Sequence, residues 1–177
     1  MSMEHKAFVF DYERFATDLC PLLEKSLRRG AIDELRAFIE RHHDKLVDPY
    51  EGQPLGGDWE GSIPSPDPHQ YGDFALTLYY DPRADIGLGC AWEAAQKAIA
   101  RHGGPVVAVL GSPVGPSSEP FDPGKMGAYF QSSGGVRKRL AELRALLRNG
   151  IYDDNCRKVI EMLEAAERAR KGLYLTF

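Results

Sequence analysis

Apolar residues recur at three- and four-residue steps through most of the first 46 positions. Between 11 and 29, Tyr12, Phe15, Ala16, Leu19, Leu23 and Leu27 fall on one side of a helix, with Asp11 placed as its N-cap. Pro21 has no amide hydrogen and predicts a kink or break. Gly30 suits a left-handed helix end. Ile32, Leu35, Phe38, Ile39 and Leu46 predict a second helix, with Asp33 and Glu34 at its positive start. The tight turn between the two predicts an antiparallel pair.

The periodicity then stops. Residues 48–68 (DPYEGQPLGGDWEGSIPSPDP) are crowded with proline and glycine and read as irregular chain. A structureless stretch this long is unusual inside a compact domain. Its Tyr50, Leu55, Trp59 and Ile63 predict that it is pinned to the body. Residues 68–80 fit two patterns, alternation through Phe74, Leu76, Leu78 and Tyr80, or helical grouping of Tyr71, Phe74, Ala75, Leu78 and Tyr79. Asp67-Pro68 as cap and first turn, with Asp81-Pro82 as a stop, favours helix.

A further helix is predicted over 88–102. PVVAVLG, residues 105–111, reads as the clearest strand, β-branched and bounded by glycine and proline. MGAYF (126–130) predicts a short strand, Ser132 or Ser133 caps a helix to Asn149-Gly150, and another helix covers 152–171. LYLTF (173–177) predicts a strand, and AFVF (7–10) a fourth. The expected architecture is a single α+β domain of about six helices around a small, mainly antiparallel sheet of three to four strands. Strands and helices do not alternate regularly, which argues against a doubly wound fold.

Composition is that of an ordinary globular chain of 177 residues, with no apolar run long enough to span a bilayer and no signal-peptide pattern. Cys20, Cys90 and Cys156 are too few and too far apart for a disulfide framework or a CxxC motif, so a cytoplasmic setting is expected. Net charge is −4, but it is unevenly spread. From 46 to 82 there is no lysine or arginine against seven acids, Asp48, Glu51, Asp58, Glu60, Asp67, Asp73 and Asp81. Residues 136–171 hold ten basic residues against six acids. The charges either sit on solvated faces or make the acidic segment a surface for a basic partner.

Motifs for chemistry fail one by one. FDPGKMGAYFQSSGG (121–135) is no P-loop, because Lys125 is followed by Met126 and the glycine required before it is Glu119. Its Asp122-Pro123-Gly124 reads as a turn. Lys125, Ser132, Ser133 and Arg137 could still grip an anion at a helix start. Counted from Asp48, the calcium-loop pattern puts Tyr50, Gly52 and Trp59 where oxygen ligands belong. No HExxH or G-x-S-x-G occurs, and Cys90 has no base at diagnostic spacing. An acidic chain without aromatic interleaving in its basic helix makes nucleic acid an unlikely ligand.

Two functional expectations remain. The first is a non-enzymatic protein-binding protein capturing a basic protein partner through Asp48, Tyr50, Glu51, Asp58, Trp59 and Glu60, with no cofactor or metal. In size, acidity and α+β character the chain resembles small acidic bacterial immunity proteins, which neutralise toxic nucleases; no motif carries that likeness. The second is a small hydrolase or transferase acting on a phosphate-bearing substrate held by Lys125, Ser132, Ser133 and Arg137.

Overall fold

A computed structural model of the chain describes residues 3–150 and 153–177. Its centre is a three-stranded antiparallel sheet in the order β1-β3-β2, formed by β1 (Lys6–Phe10), β2 (Ala128–Gln131) and β3 (Gly172–Thr176). As the middle strand, β3 has both faces covered. Strand alternation sorts the side chains into two cores. Phe8, Phe10, Phe130 and Tyr174 point to one, and Ala7, Leu173 and Leu175 to the other.

The first core is closed by α1 (Tyr12–Asp18), α2 (Cys20–Arg29), α3 (Asp33–His42) and α4 (Pro68–Leu76). The second is closed by α5 (Trp92–Arg101), α6 (Val107–Leu110), α7 (Ser133–Arg148) and α8 (Asp154–Arg168). The protein is thus one α+β domain, helices on either side of a thin sheet. No helix among the described residues is long and apolar enough to cross a membrane.

Local chemistry accounts for the helix ends. The first predicted helix divides at Leu19, and Pro21 sits in the opening turn of α2, where its missing N–H costs nothing. Gly30 ends α2 with φ +65°. The second helix stops at His42, short of Leu46, and passes into a 3-10 turn over His43–Lys45. Asp67 accepts hydrogen bonds from the amides of His69 and Gln70, which starts α4. Ser132 accepts from Gly135 N, which starts α7. Asp11 occupies the start of α1 but caps nothing with its side chain; its carboxylate faces Lys171 at 3.7 Å. The predicted beginning of the last helix at 152 lies outside the described residues.

One predicted strand is not a strand. PVVAVLG folds as the short helix α6, closed by Gly111 at φ +85°. A strand here would bury alternate residues on two faces, yet this segment meets the protein on one side only. The helical turn buries Ala108 and Val109, while Val106 and Val107 remain 37% and 39% exposed. Packing overrides β-propensity. His5, fully buried, fastens the segment to the sheet. Its Nε2 donates to Val109 O at 2.7 Å and its Nδ1 accepts from Leu88 N at 3.2 Å. Burial lowers the pKa of this imidazole, and the bond to the Val109 carbonyl partly opposes that.

Candidate functional site

The site is organised by α4. This helix is buried on nearly every side, from Gln70 through Leu76. Gly72 is needed there, since a Cβ would lie 2.7 Å from Leu23 Cδ1 and 2.8 Å from Phe121 Cε2. Such an enclosed helix should be apolar all round. Asp73, in its middle, breaks that rule at 6% exposure.

Both loops singled out in the sequence are tied to this helix. Gln70 Nε2 donates to Pro123 O at 2.8 Å, and Gln70 Oε1 accepts from the Tyr50 hydroxyl at 3.1 Å. Asp122 N donates to His69 Nδ1 at 3.0 Å, and the Asp122 carboxylate accepts from the amides of Met126 and Gly127. Thr77 Oγ1 bonds both Val47 N and Val47 O. The acidic connector is therefore pinned at its root. The Asp48 carboxylate adds a local turn by accepting from Tyr50 N and Glu51 N at 2.7 and 3.0 Å.

Between these loops and the sheet lies a cleft of about 250 Å³. Its walls include Pro49 and Tyr50 from one loop, Pro123 and Gly124 from the other, and Phe8, Tyr80, Tyr174 and Phe177. The rings of Phe8, Tyr80 and Tyr174 form a triangle, with centroids 4.9, 5.2 and 6.1 Å apart. Asp73 opens into the same cleft. Burial pushes its carboxyl up to about 7; the neighbouring Tyr50 hydroxyl pulls it back, and Asp48 adds repulsion. Burial also drives the Tyr80 and Tyr174 phenols well above their ordinary value, and Tyr50 up to about 12. Lys6 and Thr176 complete the polar lining.

The six residues expected to form a partner surface are not all on it. Tyr50 stands 60% exposed, and Glu51 and Asp58 are exposed beside the connector. Trp59 turns inward at 7% exposure, packed against Tyr71 and Phe74. Its role is to hold the loop down. Glu60 is exposed but engaged, accepting from Arg36 Nε at 2.5 Å and from the Tyr71 hydroxyl at 2.8 Å. Those bonds lower its pKa. Asp81 pairs locally with Arg83. Two basic residues of α7 and α8 answer other acids, Arg144 meeting Glu164 and Glu167 and Arg168 meeting Glu164. Among the described residues, no basic side chain of α7 or α8 forms an ion pair with an acid of the connector.

The four residues considered for an anion are not brought together. Lys125 lies in the turn before β2, near the Thr176 end of β3, whereas Ser132 follows β2 at the Leu173 end. The start of α7 already holds a carboxylate of the protein. Glu13 Oε1 accepts from Ser133 N at 3.2 Å and from Ser133 Oγ at 2.5 Å. Ser132 is occupied as the helix cap, and Arg137 is exposed one turn further along. Among the described residues, no group of three or more histidine, cysteine, aspartate or glutamate side chains is placed to hold a metal ion.

Asp73 is the residue that sequence reasoning missed, because it was counted with the seven acids as part of one surface. The signal was present. Asp73 is the single charged residue in YGDFALTLYY, a run otherwise dominated by aromatic and aliphatic side chains, where a carboxylate has little solvated face to occupy.

No protein-family model matches the chain, and searches of curated proteins and of solved structures return no match.

Proposed function

We propose that this chain is a non-enzymatic protein-binding protein that captures a basic protein partner at the lip formed by Asp48, Tyr50, Glu51 and Asp58. The observation that carries the reading is Tyr50. The residue is 60% exposed on a backbone fixed by Asp48, while its hydroxyl turns inward to Gln70 beside a cleft containing a further carboxyl, and the exposed Glu51 and Asp58 lie on the same connector. Rigid aromatic residues anchor interfaces because they bury much area at little entropic cost. Surrounding carboxylates would steer a positively charged partner and reject a negative one. A cytoplasmic, inhibitory or immunity-like role suits this mode, and three unpaired cysteines suit a reducing compartment.

The phosphate-substrate alternative has less support, since Glu13 already takes the Ser133 amide and hydroxyl at the start of α7, and Ser132 takes the Gly135 amide. The test is to recover the protein with its partner from the native host, then remeasure binding with purified components and variants. Glu51→Lys combined with Asp58→Lys leaves the internal pairs of Glu60 and Asp48 intact and should weaken binding at least tenfold. Tyr50→Ala should cost at least as much. Binding unchanged in both variants rejects the reading.

A further inference from the structure

Asp73 is a carboxyl with no cation to match it. Among the described residues no lysine, arginine or histidine pairs with it. Lys6 lines the same cleft but is exposed. A buried acid is normally paired, or is costly to the fold. Here the side chain does not face a sealed core. It opens into a cleft walled by Phe8, Tyr50, Tyr80 and Tyr174.

Aromatic faces carry negative charge density and attract cations, most strongly where water is excluded. A carboxylate among such walls has the chemistry of a cation receptor. Size narrows the occupant. At about 250 Å³ the cleft falls just below the roughly 300–1,000 Å³ typical of pockets for drug-sized ligands. It suits the end of one long side chain better than a cofactor. Tyr50 belongs both to its wall and to the exposed acidic loop, so a partner docked on that loop would sit next to the cleft.

We infer that the cleft receives one lysine or arginine side chain of the basic partner, its charged head meeting the Asp73 carboxylate between the rings of Tyr50, Tyr80 and Tyr174. This rests on the proposed capture of a basic protein and names the contact that would give it specificity. Lip charges govern encounter, and the inserted side chain governs residence, because a desolvated pair resists dissociation more than a rim pair does.

Protons are coupled to this contact. A cation binds the ionised form, so insertion displaces the proton from whatever fraction of Asp73 is protonated when the cleft is empty. The groups facing Asp73 are the phenols of Tyr50, Tyr80 and Tyr174, Thr176, Lys6 from β1 and Asp48 from the connector. The three phenols titrate far above neutrality. With Asp73 near 7, its ionised fraction rises roughly tenfold between about pH 6 and about pH 8, and affinity should rise by a similar factor.

The experiment titrates isotope-labelled full-length protein with N-acetyl-arginine methylamide and N-acetyl-lysine methylamide, followed by NMR. N-acetyl-norleucine methylamide is the uncharged control. At least one cationic probe should give saturable shifts at Tyr50, Tyr80 and Tyr174, stronger at the higher pH, while the control gives none. Asp73→Asn, which keeps the side chain's shape, should weaken the probe at least tenfold; Lys6→Met should not weaken it. Equal binding of the uncharged control, no response to pH in the wild type, or full binding by Asp73→Asn overturns the inference. The two proposals fail separately. If Asp73→Asn leaves capture of the purified partner intact while the Glu51/Asp58 reversal abolishes it, the lip is right and the insertion wrong.

Discussion

Replacing Asp73 with asparagine should stabilise the free protein at neutral and alkaline pH. In the unfolded chain the carboxyl titrates near its usual 3.8, and in the folded protein at about 7. Below 3.8 both states are protonated and the side chain imposes no penalty. As pH rises from 3.8 to about 7, the unfolded state releases its proton first, and stability falls. A difference of about 3 pH units at 1.36 kcal/mol each gives a loss of roughly 4 kcal/mol above neutrality. Between about pH 5 and about pH 8 the change is roughly 2–3 kcal/mol by the same relation. Asparagine has similar shape and no charge, but its amide must find partners in the cleft, which costs about 1 kcal/mol. Urea unfolding of both proteins at about pH 5, 6.5 and 8 reads the effect. The two should be close in stability at the acid end, with the variant pulling ahead by roughly 2–3 kcal/mol at pH 8. Parallel profiles across the range would show that Asp73 is ionised or neutral in both states alike, and would remove the basis for an uncompensated charge in the cleft.

His5 titrates in the opposite sense. Its folded pKa is lowered, so the stability it confers is present above its unfolded value of 6.5 and is lost as pH falls below it. His5→Gln should cost about 1 kcal/mol at neutral pH by weakening the bonds to Val109 and Leu88, and should flatten the acid limb seen by circular dichroism. A Cβ on Gly172, in the middle strand, would lie 2.0 Å from Gln131 O. Gly172→Ala should therefore destabilise by about 3 kcal/mol in chemical unfolding, and a loss under 1 kcal/mol would mean that β2 moves away easily.

Periodicity located most of the fold, and particular failures show its reach. Helix α4 was recoverable because Asp67-Pro68 supplied a cap that outweighed an equally good alternation through Phe74, Leu76 and Leu78. PVVAVLG was misread because β-branched residues carry the same local preference whether or not a strand edge is near. Nothing in those seven letters says that only one side will be covered. The site was less legible for a related reason. Charge counting treats acids as equals, yet Glu60 is engaged by Arg36, Asp67 caps a helix, Asp73 is buried and Glu51 is exposed. Trp59 and Tyr50 look alike as aromatic residues in a loop, and both meet Phe74; Trp59, which also packs edge-on against Tyr71, is the one that turns inward. The meeting of residues 49–50 with 123–124 depends on Gln70 bridging both loops, a relation between positions 53 apart that no local pattern encodes.

The most direct test of capture through the acidic lip is the dissociation constant of the purified partner, measured by calorimetry for wild type and for the Glu51→Lys, Asp58→Lys protein. The account predicts a basic partner, an at least tenfold weaker complex for the double reversal, and a difference between the two proteins that shrinks as salt is raised. A partner that is acidic, or one held with equal strength by both proteins at low salt, would contradict it.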